Sequence, residues 1–183
     1  MDPAASPNLR RRRIRILLWS LTPVVAVAAM AAFAPNPSIL WNGSDSEPPG
    51  LYVRTPEELE PGRLIAFMAP AAAFPYADRH MGYLHRIPIL KQIAAMAGDE
   101  VCTLGGELRI NDRRAGPVFA HDRQGGELPR WTGCRRLDAG EVFVFSDRIP
   151  NSFDSRYYGP LKASEVVGVF RPVVTLPGRP GGL

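Results

Sequence analysis

Cysteine and histidine are scarce in this sequence, and their spacing does not suit a metal site. The 183 residues include two cysteines and three histidines. Cys102 and Cys134 each stand without a histidine or a second cysteine at the short spacing that zinc ligands need. We therefore expect neither a bound metal nor a cofactor.

An excess of charge is also missing from most of the chain. The formal net charge is +4 at pH 7, and five arginines against Asp2 within residues 1–15 account for all of it. The remaining residues are neutral overall, so they give no electrostatic reason to expect DNA or RNA as a partner. An apolar content of 45% excludes a disordered chain.

Long apolar runs are limited to one, over residues 16–34, and it contains no charged residue. Its 19 residues are nearly enough to cross a hydrocarbon core of about 30 Å as a helix. The arginines precede it, and basic residues mark the cytoplasmic flank of a membrane helix. We predict a single-pass anchor in a bacterial inner membrane, with a cytoplasmic N-terminus and the following domain in the periplasm.

A cleaved signal peptide is the main alternative to this anchor. Ala32, Phe33 and Ala34 have the small-x-small form of a cleavage site. The run is longer than a usual apolar signal region, and Pro35 would follow the cut, where its tertiary amide is a poor scissile bond. A buried helix of a soluble domain is a further alternative, which the arginine block disfavours. A retained anchor is the favoured interpretation.

Repeats and long helical periodicity are absent from the rest of the sequence. Gly105-Gly106 predicts a tight hairpin, residues 69–83 predict a loop or flap, and residues 112–139 predict a loop-rich insertion that carries Cys134. Residues 90–97 suggest a short helix, although a strand is also compatible. We predict a mainly β domain. The predicted strands cover residues 50–54, 63–68, 100–104, 107–111, 141–146 and 165–174.

Three segments carry candidate catalytic side chains. The first is Ser44-Asp45-Ser46-Glu47-Pro48, the second is Lys91 within an apolar run, and the third is residues 146–156, which hold hydroxyl groups and an Asp/Arg pair. A serine hydroxyl needs a neighbour to accept its proton, and a lysine accepts it only where apolar surroundings keep the amine neutral. The combination indicates a peptidase with a serine nucleophile and a lysine base.

The order of these motifs resembles the type I signal peptidases over residues 14–172. The likeness lies in Ser-x-Ser-x-Pro-x-Gly-Leu-Tyr from residue 44, in Lys91 with Gly-Asp-Glu-Val from residue 98, and in Asn-Ser-x-Asp-Ser-Arg-x-x-Gly from residue 151. The run from Pro48 to Tyr52 and the compact length are most similar to the TraF-type conjugative transfer peptidases. The implied fold is an N-terminal transmembrane helix followed by a β-sheet catalytic domain.

The resemblance implies a role for each matching residue. Ser46 is the implied nucleophile and Lys91 the general base, and the Ser44 hydroxyl stabilises the oxyanion together with the backbone N–H of Ser46. Ser152 is implied to hydrogen-bond and orient the Lys91 amine. The implied supporting ion pair, which holds a strand carrying Ser152, consists of Asp154 and Arg156.

The sequence departs from the family pattern beside the nucleophile. The family often has methionine after the nucleophile, where this chain has Glu47, and Asp45 lies between the two serines. Both carboxylates are expected to face solvent, because an inward carboxylate would hold Lys91 charged. A Ser-His mechanism is the alternative chemistry, although no Gly-x-Ser-x-Gly turn accompanies the histidines. Those histidines are His80, His85 and His121.

The expected organisation and function follow from the anchor and the motifs together. We expect cleavage of a signal-peptide-like or propilin precursor at the periplasmic face of the membrane, with other conjugation proteins as further partners. A non-catalytic envelope component that uses the same fold for binding is the alternative.

In a periplasmic domain Cys102 and Cys134 are expected to form a disulfide, with two buried thiols as the alternative. The expected segments are a basic cytoplasmic segment (1–15), the anchor (16–34), a connector (35–45), the peptidase domain (46–176) and a disordered tail (177–183).

Overall fold

The computed structural model describes residues 22–23 and 37–177. The chain divides into one unit of residues 1–39 and another of residues 40–183. In the first unit, Thr22 and Pro23 are helical. Within the described residues, no helix has the length and apolar character needed to span a membrane. The predicted basic segment, nearly all of the predicted anchor and almost the whole predicted tail lie outside the described residues.

Most of the regular secondary structure of the described chain lies in two sheets of antiparallel strands, which confirms the prediction of a mainly β domain. One sheet has seven strands in the order β1-β2-β11-β3-β4-β9-β10, and the other has four in the order β7-β6-β5-β8. The strands are β1 (Ile39–Asn42), β2 (Gly50–Thr55), β3 (Leu64–Phe67), β4 (Ile89–Met96), β5 (Glu100–Leu104), β6 (Glu107–Ile110), β7 (Arg113–Pro117), β8 (Gly133–Arg136), β9 (Glu141–Val144), β10 (Leu161–Lys162) and β11 (Val166–Thr175).

Strand β4 occupies the interior of the seven-stranded sheet, between β3 and β9. From Lys91 to Ala95, buried residues alternate with the exposed Gln92 and the half-buried Ala94, and Ile89 and Leu90 before them are both buried. This alternation has the period of a strand, because successive side chains point to opposite faces. The helical interpretation of residues 90–97 is therefore wrong, and the strand interpretation is right.

The four-stranded sheet contains the predicted hairpin and a disulfide. Gly105 and Gly106 connect β5 to β6 with φ angles of 62° and 79°, and two positive φ angles are what a type I′ turn requires. Cys102 and Cys134 face each other across β5 and β8 and form the disulfide. The predicted insertion of residues 112–139 is only partly a loop, because it supplies β7 and β8.

Short helical segments connect the strands. Ala71–Ala73 and Gly82–His85 are 3₁₀ turns on either side of helix α1 (Tyr76–His80), so the predicted loop at residues 69–83 has helical structure. A second helix, α2 (Ser155–Tyr158), follows β9, and a further 3₁₀ turn covers Ala163–Glu165. The largest apolar cluster packs β3, β4 and β9 against these segments. The interior strand that carries Lys91 therefore lies in the hydrophobic core.

Candidate active site

The turn between β1 and β2 is organised by Asn42, a residue to which the sequence analysis gave no role. Its amide Nδ2 donates to the backbone oxygens of Ser44, Glu47 and Pro48 at 3.1, 2.9 and 3.1 Å. Its Oδ1 accepts from the backbone N–H of Ser44 at 3.1 Å. The hydroxyl of Tyr52 also donates to Pro48 O, at 2.6 Å. The sequence does contain a signal for this role, because Asn42 stands two residues before Ser44 and an asparagine side chain readily bonds to nearby backbone in a turn.

Ser46 lies in this turn and contacts Lys91 of β4. Lys91 Nζ donates a hydrogen bond to Ser46 Oγ, and the two residues are 4% and 5% exposed. The hydroxyls of Ser44 and Ser46 are 2.9 Å apart and hydrogen-bonded. The structure thus brings the predicted nucleophile, the predicted base and the predicted oxyanion donor together, although 45 residues separate Ser46 from Lys91.

Burial governs the charge of Lys91. Its pKa is lowered from the ordinary lysine value because burial penalises the ammonium, and the charge of Arg156 lowers it further. The carboxylates of Asp154 and Glu47 oppose this shift. A lysine can accept a serine proton only in its neutral form, so the direction of the shift favours a base.

The expectation that Asp45 and Glu47 face solvent is wrong for Glu47 and only partly right for Asp45. Glu47 is 5% exposed, while Asp45 is half-buried. Burial raises the pKa of Glu47 to about 7, against the lowering effects of Lys91 and Arg148. The reason is the tight turn held by Asn42, which directs the side chain after Ser46 inward.

Ser152 does not make the predicted hydrogen bond to Lys91. It lies in the loop between β9 and α2, not in a strand, and it is 1% exposed. Its Oγ has no hydrogen-bond partner in the part of the chain that the structure describes. Ser152 nevertheless lines the same cavity as Ser46 and Lys91. Its backbone oxygen, and not its hydroxyl, is hydrogen-bonded, to Arg156 Nη2.

Arg156 and Asp154 form a fully buried ion pair that shapes this loop. Arg156 Nε and Nη2 donate to the two carboxylate oxygens of Asp154 at 2.8 and 2.9 Å, and both side chains are 0% exposed. The guanidinium also donates to the backbone oxygens of Ser152 at 2.9 Å, Pro117 at 2.7 Å and Pro150 at 3.3 Å. The pair therefore ties together two separate stretches of backbone, one at Pro117 and one at residues 150–152.

Ser146 connects this third segment to the Ser46 turn. Its hydroxyl donates to the backbone oxygen of Ser46, and its backbone N–H donates to Asp154 Oδ2 at 3.4 Å. Ser146 belongs to the third candidate segment, and the sequence predicts no role for it. Nothing in its immediate sequence indicates a partner 100 residues away.

An apolar cavity of about 620 Å³ adjoins the Ser46 and Lys91 side chains. Apart from Ser44, Ser46, Lys91, Asn151 and Ser152, its lining is largely hydrophobic. Its apolar lining includes Leu40 and Trp41 of β1, Ile89 and Leu90 of β4, and Leu84 of the turn Gly82–His85. Such a cavity suits an uncharged segment of a substrate, because the few polar groups of the lining can bind the substrate backbone.

The histidines and the disulfide lie elsewhere. Within the described chain, no histidine lines the cavity of Ser46. His85 Nε2 is 2.6 Å from Asp78 Oδ1 at the surface, and His121 lines a different cavity. The Ser-His alternative thus has no geometric support, and the Cys102–Cys134 disulfide belongs to the other sheet.

Several known proteins are similar to this chain in sequence or in fold. Residues 11–175 match the family described as signal peptidase, peptidase S26. A plasmid transfer protein TraF of Escherichia coli is 31% identical over 73% of this chain and 81% of its own length. A conjugal transfer protein TraF of Agrobacterium tumefaciens is 30% identical over 90% of this chain and 98% of its own length. A crystal structure of a signal peptidase I from Enterococcus faecalis is also similar, with 19% identity and a TM-score of 0.39. The match covers 63% of this chain and 98% of the Enterococcus chain. The family match and the TraF relatives show that this chain belongs to the signal peptidase family, peptidase S26.

Proposed function

We propose that the protein is a membrane-anchored serine endopeptidase in which Ser46 is the nucleophile and Lys91 the general base. The observation that carries the proposal is the hydrogen bond between Lys91 Nζ and Ser46 Oγ in a buried site. The lowered pKa of Lys91 supports it, since the amine loses its proton more easily than an exposed lysine. The two side chains are close enough for a proton to pass directly from Ser46 Oγ to Lys91 Nζ.

The proposed reaction is an acyl transfer in two stages. Ser46 Oγ attacks the carbonyl carbon of the scissile peptide bond, and the hydroxyl proton passes to the neutral Nζ of Lys91. The resulting oxyanion accepts hydrogen bonds from the Ser44 hydroxyl and the Ser46 backbone N–H. When the carbon–nitrogen bond breaks, Lys91 returns the proton to the leaving amine. The ester on Ser46 is then resolved by water or by an amine of the substrate itself.

The proposed substrate is a signal-peptide-like or propilin precursor with small apolar residues before the scissile bond. The apolar lining of the cavity favours such side chains over charged ones. Strand β1 is the edge of the seven-stranded sheet, so an extended substrate can add to it as a further strand. Similarity to TraF proteins supports a role in conjugative transfer, with other transfer proteins as proposed partners.

The proposed location is the periplasmic face of the inner membrane, with residues 16–34 as a retained anchor. The uncharged run and the preceding arginines support this proposal. Edman sequencing of membrane-extracted protein should find an uncleaved N-terminus, and a reporter fused after Leu183 should be active in the periplasm. Protein that begins at Pro35 contradicts the anchor, and a reporter active only in the cytoplasm contradicts the orientation.

Cleavage of a quenched fluorescent peptide with alanines before the scissile bond tests the activity. The full chain in detergent should cut it, and mass spectrometry should place the cut after a small residue. Lys91→Arg should be inactive, because a guanidinium stays protonated at working pH. Cleavage by the arginine variant at the wild-type rate contradicts Lys91 as the base. A wild-type protein that binds the peptide without cutting it supports the non-catalytic envelope role instead.

A further inference from the structure

Glu47 is an acidic residue in a position where burial is costly. It follows the proposed nucleophile directly and is 5% exposed. Its Oε1 has no hydrogen-bond partner among the described residues, whereas most buried polar atoms in proteins have one. The backbone of Gln92, next to Lys91 on β4, favours the ionised form of Glu47 and so lowers its pKa. An incompletely satisfied buried acid at this site calls for a functional explanation.

Lys91 is the group that interacts most strongly with the Glu47 charge. It is the strongest electrostatic influence that favours the ionised carboxylate, and Glu47 in turn favours the charged form of Lys91. The two do not form an ion pair in the described part of the chain, so they interact through space. The other charged or titratable groups that act on the two are Tyr52 of β2, Asp147 and Arg148 after β9, and Asp154 and Arg156 of the third segment.

The direction of this coupling follows from elementary electrostatics. A negative carboxylate near an amine favours the ammonium, and low-dielectric surroundings strengthen the effect. A neutral carboxyl group in the same place loses that effect. Asp154 also acts on Lys91, but two hydrogen bonds from Arg156 hold its carboxylate in an ion pair. Glu47 lacks such a partner and is thus the acid whose charge is free to change.

We propose that Glu47 is a positioning residue for the reaction proposed above: its ionised carboxylate holds the proton on Lys91, and its neutral form releases Lys91 to act as the base. This inference rests on the proposed function. The pKa of Glu47, raised to about 7 by burial, places its change of charge in the working range of a periplasmic enzyme. The two groups then titrate as one coupled unit rather than separately.

The composition of the chain makes the coupling directly measurable. Lys91 and Lys162 are the only lysines in the sequence, and Lys162 is exposed on β10. Full-length protein in detergent micelles, labelled with ¹³C at lysine Cε, should therefore give two assignable signals. The Lys91→Arg variant identifies the Lys91 signal by its loss. The pH dependence of that signal reports the protonation of the amine without any need for catalysis.

The decisive comparison is between Glu47→Gln and the wild type. Glutamine retains the shape and a side-chain hydrogen-bond acceptor but carries no charge, so the Lys91 titration midpoint should fall by about 1 pH unit. The wild-type curve should be broader than a one-site titration, and the Glu47→Gln curve should fit one site. Asp45→Asn removes the other carboxylate beside Ser46 and should leave the midpoint within about 0.3 unit of the wild type, because Asp45 is partly solvated.

A further variant separates charge from local structure. Glu47→Met removes both the charge and the acceptor, and it should move the Lys91 midpoint as Glu47→Gln does. A midpoint unchanged in Glu47→Gln overturns the inference, whether or not Glu47→Met changes it. In an active protein the rising limb of kcat/KM against pH should move to lower pH by the same amount. Absence of peptidase activity with the midpoint shift intact contradicts the proposed function but not the coupling, so the two failures are distinguishable.

Discussion

The domain buries charge in two contrasting ways. Arg156 and Asp154 are both 0% exposed, and their side chains bond to each other and to backbone oxygens. Lys91 and Glu47 are nearly as buried, at 4% and 5% exposed. In the described residues, however, Glu47 Oε1 lacks a partner, and the hydrogen bond recorded for Lys91 Nζ goes to a neutral hydroxyl.

The Asp154–Arg156 pair is therefore expected to have a structural role, whereas Lys91 and Glu47 are expected to have a chemical one. A buried charge that is paired and hydrogen-bonded keeps its charge and orders the chain around it, and removal of one partner is strongly destabilising. A buried charge without full compensation changes its protonation instead, and such groups are concentrated at functional sites. We therefore expect substitutions of the first pair to reduce folding stability and substitutions around Lys91 to reduce reactivity.

The largest expected effect is on turnover at the Ser46–Lys91 pair. Ser46→Ala and Lys91→Ala should each lower kcat/KM by at least about 10³-fold, and the double variant should be no worse, because the two groups act in a single proton transfer. Peptide cleavage rates in detergent measure this, with circular dichroism to confirm that the variants fold. Additive losses in the double variant would show that the two residues act independently.

The next largest effect is on stability at the Asp154–Arg156 pair. Asp154→Ala leaves a buried guanidinium without its carboxylate and should lower the free energy of unfolding by about 3 to 5 kcal/mol. Urea unfolding followed by tryptophan fluorescence is a suitable measurement. Glu60→Ala is the matched control, since Glu60 pairs with Arg63 at 3.1 Å on the exposed surface and should contribute less than about 1 kcal/mol. Equal losses in both variants would contradict the structural role of the buried pair.

Glu47 should make stability depend on pH in a defined direction. Its pKa is raised from 4.5 to about 7, so the folded state binds the proton more tightly than the unfolded state does. Wild-type stability should therefore fall as pH rises from about 4.5 to about 7, by roughly 3 kcal/mol from this group. The Glu47→Gln variant has no group that titrates at this position, so its folding stability should not show this contribution to the loss between about pH 4.5 and about 7. Parallel stability profiles of the wild type and Glu47→Gln between pH 5 and 8 would contradict a buried Glu47.

Ser152→Ala is expected to have the smallest effect on stability. The Ser152 hydroxyl makes no hydrogen bond within the described structure, so its removal should change the free energy of unfolding by less than about 1 kcal/mol. Turnover should fall less than in Lys91→Ala. A loss of activity as large as that of Lys91→Ala would show that the hydroxyl takes a direct part once substrate is bound.

The strands and the main site residues were accessible to sequence reasoning for identifiable reasons. Short runs rich in β-branched residues and the Gly105-Gly106 turn are local signals, and they predicted most strands to within a few residues. Residues 90–97 were ambiguous because alanines and large aliphatic residues suit both a helix and a buried strand. Only the pairing of β4 with β3 and β9 decides the question.

The parts that sequence reasoning missed depend on contacts between distant segments. Glu47 looks like a solvated turn residue, and its burial follows from the packing of the turn beside β4. The bond from Ser146 to Ser46 O joins segments 100 residues apart. Arg156 likewise reaches Pro117 O, 39 residues away. No local pattern encodes these partners. The hydrogen bond from Ser152 to Lys91 is expected from the family resemblance, and the described structure does not contain it.

Lys91 can accept the Ser46 proton only if it is a neutral amine at working pH. The most direct test is the ¹³Cε titration of wild-type protein, in which Lys162 supplies the only other lysine signal. The Lys91 signal should titrate well below the ordinary lysine range, because burial lowers its pKa. The rising limb of kcat/KM should follow the same curve. A Lys91 signal that stays protonated throughout the pH range of activity would contradict its role as the base.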